Sequence, residues 1–470
     1  MNLIAQFLNV AKQQPTKAAV VESSGKRVSF QDLATRSALL ANNWRSKGIN
    51  KGDRVLLAMP VGTELYASIA ALWRLGATIV FPEPAMGYAG LRHAARMTQP
   101  KAVLTSSWYR ILPFIVPELW KVPMRLQLTS SANVSDVLED VQGDHPALIS
   151  FTSGSTNLPK GILRSHDFLT AQNACVSQML VSHEEEIDLV AFPVFVIANL
   201  GLGTTSVLPN WKLTRHDKAD AASIATYVKK MGITRALVPP SICQIMANSD
   251  TRPSLKTIFT GGGPIFPDLI KKLQSTMPET SIMAVYGSTE AEPISHLMVQ
   301  EITQEDWHAM ETGAGLLAGT PIAEIELAIT EDEILVTGNH VNKSYLDGIG
   351  NEENKVLINA ETWHRTGDAG RLDKDEKLWL RGRLSAKAGD FFPFEIEIAA
   401  RCWQGVNNVA LVPESSPPCL AVEGDDTFLE DWQNNAKVFG KLEIKPVFEI
   451  PLDKRHRSKI DYRQLSKLVK

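Results

Sequence analysis

The chain has 470 residues, 44% apolar and 21% charged, with a formal net charge of −4 and a pI of about 6.2. That length exceeds what one hydrophobic core usually serves, so two or more domains are expected, and the composition excludes a disordered chain. No basic run is long enough to point to a nucleic-acid partner. The four cysteines, Cys175, Cys243, Cys402 and Cys419, are widely spaced and contain no CxxC pair. This speaks against a zinc site or a disulfide framework and fits a reducing cytoplasm.

In chain order, residues 1–8 lack a basic n-region and a small-residue cleavage site, and read as an amphipathic helix. Residues 54–59 form an apolar run that predicts a buried strand; helical spacing follows over 64–75, and further strands over 77–81 and 101–105. Residues 189–208 carry no charge over about the length that spans a bilayer. Pro193, Asn199, Gly201 and Gly203 lie within them, so a buried strand-loop-helix is expected and no membrane span. Strands are also expected at 236–238 and 256–260. The alternation predicts an α/β fold with parallel sheets covered on both faces and ligand loops at the carboxyl ends of strands. After about residue 320 the runs 325–329, 333–337 and 377–381 read as short strands of a small β-rich subdomain. The expected division is residues 1–383 as a large N-terminal domain and 384–470 as a compact α+β C-terminal one.

Five polar loops punctuate this pattern. In the first, an apolar strand runs into Thr152-Ser153-Gly154-Ser155-Thr156-Asn157-Leu158-Pro159-Lys160-Gly161. Small and hydroxylated residues let backbone N–H groups approach an anion, and Lys160 adds a cation; the Walker A spacing is absent. The second, Thr260-Gly261-Gly262-Gly263-Pro264, permits flat contact with a ligand such as a nucleobase. The third, Val285-Tyr286-Gly287-Ser288-Thr289-Glu290, offers a ring for packing, a hydroxyl for a phosphate and a hard oxygen for Mg²⁺. The fourth, His364-Arg365-Thr366-Gly367-Asp368 with Gly382-Arg383, exposes a carboxylate that can accept from ribose hydroxyls. The fifth is the basic run from Asp453 to Tyr462, containing Lys459.

Together, in this order and over nearly the whole chain, the loops resemble the adenylate-forming superfamily of acyl-CoA synthetases, peptide-synthetase adenylation domains and firefly luciferase. The resemblance implies a mobile C-terminal domain with the active site beneath it, and ATP and Mg²⁺ as cofactors. It implies that Thr152, Ser153, Gly154, Ser155, Thr156 and Lys160 wrap the phosphates. It places Gly261, Gly262, Gly263 and Pro264 at the adenine, with Tyr286 and Gly287 beside it. Thr289 falls at the α-phosphate, Glu290 on Mg²⁺, Asp368 with Arg383 at the ribose, and Lys459 on the reacting carboxylate and phosphate.

Several positions depart from the common pattern. Asn157 replaces a glycine of the phosphate loop. Val196 stands where many relatives have a histidine, which with Leu200 and Gly201 suggests an apolar acid pocket. These residues, the segment 83–87, Glu290-Ala291-Glu292-Pro293 and Arg455-His456-Arg457-Ser458-Lys459 look more like β-lactone synthetases of olefin biosynthesis. The segment 382–393 is shorter than the usual hinge and loop, with Ser385 at the hinge place. The leading expectation is a cytoplasmic enzyme that adenylates a fatty or aryl acid and passes it to coenzyme A or to the phosphopantetheine of an acyl carrier protein. The alternatives are an enzyme that stops at the adenylate or closes a β-lactone, and a non-catalytic nucleotide- or acyl-binding relative.

Overall fold

A computed structural model of the chain describes residues 2–469 apart from 83–85, 131–137, 153–158, 183, 214, 414 and 452–459. The N-terminal helix forms over Ile4–Gln13. Six strands make the first sheet, in the order Met124–Leu126, Ala102–Thr105, Arg54–Ala58, Thr78–Val80, Pro146–Phe151 and Gly161–Ser165. The first five run parallel and the last returns antiparallel. Leu56, Ile79, Val80 and Ile149 are buried because helices cover both faces. The covering helix Thr63–Arg74 starts on Glu64 and ends on Arg74, so its termini match its dipole. Arg74 is itself buried, donating from Nε to Ser37 Oγ at 2.9 Å on the helix Phe30–Ser46.

The second sheet is larger. Strands Ala18–Val21, Thr205–Val207, Ile187–Val190, Arg235–Val238, Thr257–Gly261 and Ser281–Ser288 lie side by side and parallel. A buried ion pair ties two of them: Arg235 Nε and Nη2 meet the Asp188 oxygens at 2.7 and 2.9 Å, and Asn199 Nδ2 adds a bond of 3.0 Å to Asp188. The uncharged stretch 189–208 is therefore a strand, the helix Pro193–Leu202 and another strand. Among the described residues no helix is long and apolar enough to cross a membrane.

Beyond Ser281–Ser288 the same sheet turns antiparallel, through Ala291–Met298, Leu316–Pro321, Leu378–Arg383, Glu361–Leu372, Glu333–Thr337 and Glu326–Thr330. The β-rich part is thus an extension of the large sheet and starts before residue 320. Leu316–Pro321 pairs with both neighbours, and its bend falls at Gly319. There φ is +82° and a Cβ would lie 2.0 Å from the His296 carbonyl oxygen, so only glycine fits.

The remaining strands, Val406–Val412, Cys419–Gly424 and Glu443–Val447, form a separate three-stranded sheet with Pro446 in an outer strand. Helices Pro393–Arg401 and Leu429–Ala436 cover it around Trp432, whose Nε1 donates to Gln404 O at 2.8 Å. Phe394 meets Phe266 edge-on at 5.9 Å, and the Arg401 guanidinium stacks 4.0 Å from the same Phe266 ring. The short connection before it is one 3-10 turn, Leu384–Ala386, and a tight reversal in which Ala388 and Phe391 exchange backbone hydrogen bonds of 3.1 and 3.0 Å.

Glu397 lies inside this last unit, accepting from the Leu411 N–H at 2.9 Å. Burial pushes its carboxyl from 4.5 up to about 7. Between those pH values the native state binds more protons than the unfolded one, so stability falls as pH rises through that window. Glu397→Gln is expected to raise the melting temperature at pH 8, by the equivalent of roughly 3 kcal/mol at most, and to leave it nearly unchanged at pH 4. Thermal denaturation at the two pH values checks this.

Candidate nucleotide and acid site

The phosphate-type loop leaves the first sheet at Phe151 and returns at Gly161. Thr152 N–H donates to the Lys160 carbonyl at 3.0 Å, closing the base of the loop. Ser153, Gly154, Ser155, Thr156 and Asn157 lie outside the described residues. Lys160 Nζ sits 5.4 Å from the centre of the Tyr345 ring, a cation–π contact. Gly350, at φ +94°, packs under its stem: a Cβ there would come 2.7 Å from Lys160 Cδ.

The glycine turn follows the strand Thr257–Gly261. Gly261 lies against the Val285 carbonyl, where a Cβ would approach to 2.7 Å. Gly262 has φ +78° and faces the Phe192 ring, which a Cβ there would meet at 3.5 Å, while Gly263 faces open space ahead of Pro264. On the neighbouring strand, the Tyr286 hydroxyl donates to Asp368 Oδ2 at 2.8 Å. Arg383 Nε reaches Asp368 Oδ1 at 3.1 Å, and its Nη1 donates to Thr366 O at 2.7 Å. Asp368 and Arg383 meet because their strands pair in register. Burial and the adjacent carboxylate push the Tyr286 phenol well up, so it remains a donor.

Gly287 lets the hairpin close, since a Cβ would stand 3.0 Å from Ala291 O. Thr289 and Glu290 form the turn of that hairpin. Thr289 O accepts from Arg164 Nη2 at 2.5 Å, and Glu290 Oε1 accepts from the Tyr345 hydroxyl at 2.7 Å. Ser288 Oγ is buried with no hydrogen-bond partner among the described residues.

Four side chains at this site carry no role in the sequence reading: Arg164, Tyr345, Lys355 and His364. Lys355 donates to the Asn342 carbonyl, lies 3.3 Å from His364 Nδ1 and sits 5.0 Å from the Tyr345 ring centre. Burial first, then Lys343 and Lys160, lower its ammonium to about 7 against the pull of Glu290. Burial and Lys355 hold His364 down at about 4, so its ring is neutral at physiological pH. The only sequence signal for Lys355 is a lysine heading an apolar run, which is commonplace.

The three acid-pocket positions lie on the helix Pro193–Leu202. Val196 is fully buried in the main core, and Leu200 and Gly201 face the N-terminal helix, where a Gly201 Cβ would be 3.2 Å from Gln6 Oε1. Phe192, which meets Phe195 edge-on at 5.8 Å, is the side chain that faces Gly262. Lys459 lies outside the described residues.

Among the described residues no three His, Cys, Asp or Glu side chains gather as a metal cage. Glu290 alone still suits Mg²⁺, which binds through one or two carboxylates together with substrate phosphates and water. A model of the family described as AMP-binding enzyme matches residues 7–346. The chain belongs to the AMP-binding enzyme family. This AMP-binding enzyme is 24% identical to the olefin beta-lactone synthetase of Stenotrophomonas maltophilia, across 99% of this chain and 97% of that one. It is 23% identical to 4-coumarate–CoA ligase 1 of Petroselinum crispum, across 87% and 80%. Its fold is that of the Bacillus subtilis O-succinylbenzoate coenzyme A synthetase solved with ATP and magnesium, with a TM-score of 0.78 at 20% identity and coverage of 98% and 99%. The amide bond synthetase McbA of Marinactinospora thermotolerans superposes at a TM-score of 0.81, with 19% identity and 99% coverage of both chains.

Tyr345→Phe removes the hydroxyl from Glu290 and keeps the ring under Lys160. A hydrogen bond to a carboxylate contributes about 1.5 kcal/mol, so KM for MgATP is expected to rise roughly tenfold with little change in melting temperature. Steady-state kinetics at varied Mg²⁺ measures it.

Proposed function

We propose that this adenylate-forming enzyme activates a carboxylic acid with an alkyl or aryl tail as its acyl-AMP, releasing pyrophosphate. The observation that carries the reading is a pair of linked clusters: Lys160, Tyr345 and Glu290 around the hairpin turn, and Tyr286, Asp368 and Arg383 joined across the strands beside it. In this reading Asp368 accepts from the ribose hydroxyls, steadied by Tyr286 and Arg383. The open face at Gly263 takes the adenine. Thr152, Ser153, Gly154, Ser155, Thr156 and Lys160 surround the phosphates, with Thr289 at the α-phosphate. Glu290 holds Mg²⁺, which when bound supplies positive charge beside the phosphoryl oxygens.

The substrate carboxylate is already ionised at neutral pH, so no general base is needed. It attacks the α-phosphorus in line as pyrophosphate departs. Charge accumulates on the phosphoryl oxygens, and Lys160 and Lys459 offset it electrostatically. Residues 384–470 act as a lid hinged near Ser385; the self-contained core around Trp432 supports treating them as a unit. All four cysteines are free, which suits a cytoplasmic setting.

Two fates of the adenylate are proposed. Closure of a β-lactone by a substrate β-hydroxyl is supported by the tight reversal at Ala388 and Phe391, which leaves little chain for a thiol-delivering loop, and by similarity over the full length to olefin beta-lactone synthetases. Transfer to coenzyme A or a carrier-protein phosphopantetheine is supported by similarity to 4-coumarate–CoA ligases.

Incubation with ATP, a panel of fatty, aromatic and β-hydroxy acids, and coenzyme A present or absent separates them, with products identified by mass. A lactone formed without thiol supports the first fate, a thioester formed only with thiol the second. Absence of acid-dependent pyrophosphate release with every acid overturns the adenylation reading. Lys459→Ala is expected to lower that release by about 10²–10³-fold with an unchanged melting temperature. Near-normal release would remove Lys459 from the reaction.

A further inference from the structure

Residues 107–120 leave the first sheet after the strand Ala102–Thr105, at the same carboxyl edge as the phosphate loop. They fold as the 3-10 helix Ser107–Ile111 and two single-turn helices, Leu112–Ile115 and Pro117–Trp120. Their buried side is small: Pro113, Val116 and Leu119. Their outer side is apolar. Trp108, Ile111, Phe114, Ile115 and Trp120 are each between 47% and 65% exposed. The first three recur every third residue, the spacing of one helical face. The others join them directly: Trp120 Nε1 donates to Phe114 O at 3.1 Å, and the Tyr88 hydroxyl donates to Ile115 O at 3.0 Å. An exposed patch of this kind marks an interaction surface.

Its charge says what kind. Across residues 88–126 there are six Lys or Arg and a single acidic residue, Glu118, in a chain whose net charge is −4. Glu118 is taken by Arg92 at 2.8 Å and Arg96 at 3.5 Å. Arg110, Lys121 and Arg125 are exposed and have no carboxylate partner among the described residues. Arg125 stacks 5.0 Å from the Phe114 ring centre, so charge and apolar surface share one face. Tryptophans and aliphatic side chains within a basic rim are the composition that seats in the headgroup boundary of an anionic bilayer. A second copy of the chain fits poorly, because a twofold contact sets Arg110, Lys121 and Arg125 against themselves.

We propose that this face, with Trp108, Ile111, Phe114, Ile115 and Trp120 inside the basic rim, docks the enzyme peripherally on an anionic phospholipid surface. The helix Gly87–Thr98 links the face to the phosphate loop, carrying Tyr88 against Ile115 and His93, whose Nε2 lies 3.0 Å from Pro159 O. Docking therefore places the nucleotide edge of the sheet near the bilayer, where a water-insoluble acid is found. The inference does not rest on which acid is adenylated or on the fate of the adenylate.

The test is co-sedimentation of the full chain with vesicles of phosphatidylcholine alone or with about one-third phosphatidylglycerol. Binding is expected only to the anionic vesicles and to weaken as salt is raised. The combined variant Trp108→Ser, Phe114→Ser, Trp120→Ser is expected to lose at least about tenfold in vesicle affinity. Its acid-dependent pyrophosphate release with a soluble short-chain acid should match that of the parent, which also shows that it folds. The variant Arg110→Glu, Lys121→Glu keeps the apolar side chains and should lose the preference for anionic lipid. Equal binding to both vesicles, no binding to either, or binding untouched by both variants overturns the proposal. So does loss of affinity for a phosphopantetheinylated acyl carrier protein, or loss of self-association, in variants that still bind vesicles normally.

Discussion

The direction of one strand organises the molecule. Ser281–Ser288 runs parallel to Thr257–Gly261 on one side and antiparallel to Ala291–Met298 on the other. A parallel neighbour must be reached by a long crossover, whereas an antiparallel one follows from a tight turn. The glycine turn and the hairpin turn therefore emerge at the same edge, at adjacent strand ends, and Tyr286 stands between them. Because the antiparallel strands continue to Glu361–Leu372 and Leu378–Arg383, Asp368 and Arg383 are carried back to the Tyr286 hydroxyl. Groups more than eighty residues apart in sequence are thus fixed by one continuous ladder of backbone hydrogen bonds.

The second half of the site is built differently. Glu290, Tyr345, Lys160 and Lys355 come from turns and strand ends and His364 from within Glu361–Leu372, and what joins them is charge and one aromatic ring. Tyr345 gives its hydroxyl to Glu290 and its faces to two lysines. Burial first, and then the nearby Lys343 and Lys160 ammoniums, weaken the charge on Lys355. The arrangement concentrates positive potential beside a carboxylate, as an anionic polyphosphate with its cation requires.

Much of the fold was legible in the sequence because helices and buried strands announce themselves by local periodicity. The helix at Thr63–Arg74 and the strands at Arg54–Ala58, Ala102–Thr105 and Thr257–Gly261 lie within a few residues of their expected places. The joining of the β-rich strands to the large sheet was not legible, because the pairing of Leu316–Pro321 with two partners is a long-range choice. At the site, glycines and carboxylates in Ser/Thr-rich loops stood out by type. Tyr345 and Lys355 did not, since a tyrosine in a turn and a lysine heading a strand are common everywhere. Their meaning comes only from what they touch. Leu200 and Gly201 lie beside the N-terminal helix, a placement set by tertiary packing of Pro193–Leu202 and not readable from residue type.

Pro446 has a consequence beyond its own strand. Glu443–Val447 closes one side of the three-stranded sheet, and two residues beyond Pro446 the Phe448 ring is 99% exposed. An open strand edge next to a bare aromatic ring is a template on which another chain can add a strand and start a fibre. Proline offers no N–H to such an incomer and fixes the backbone against regular extension. One residue without a hydrogen-bond donor thereby makes the outer edge of the smallest sheet a poorer template for strand addition.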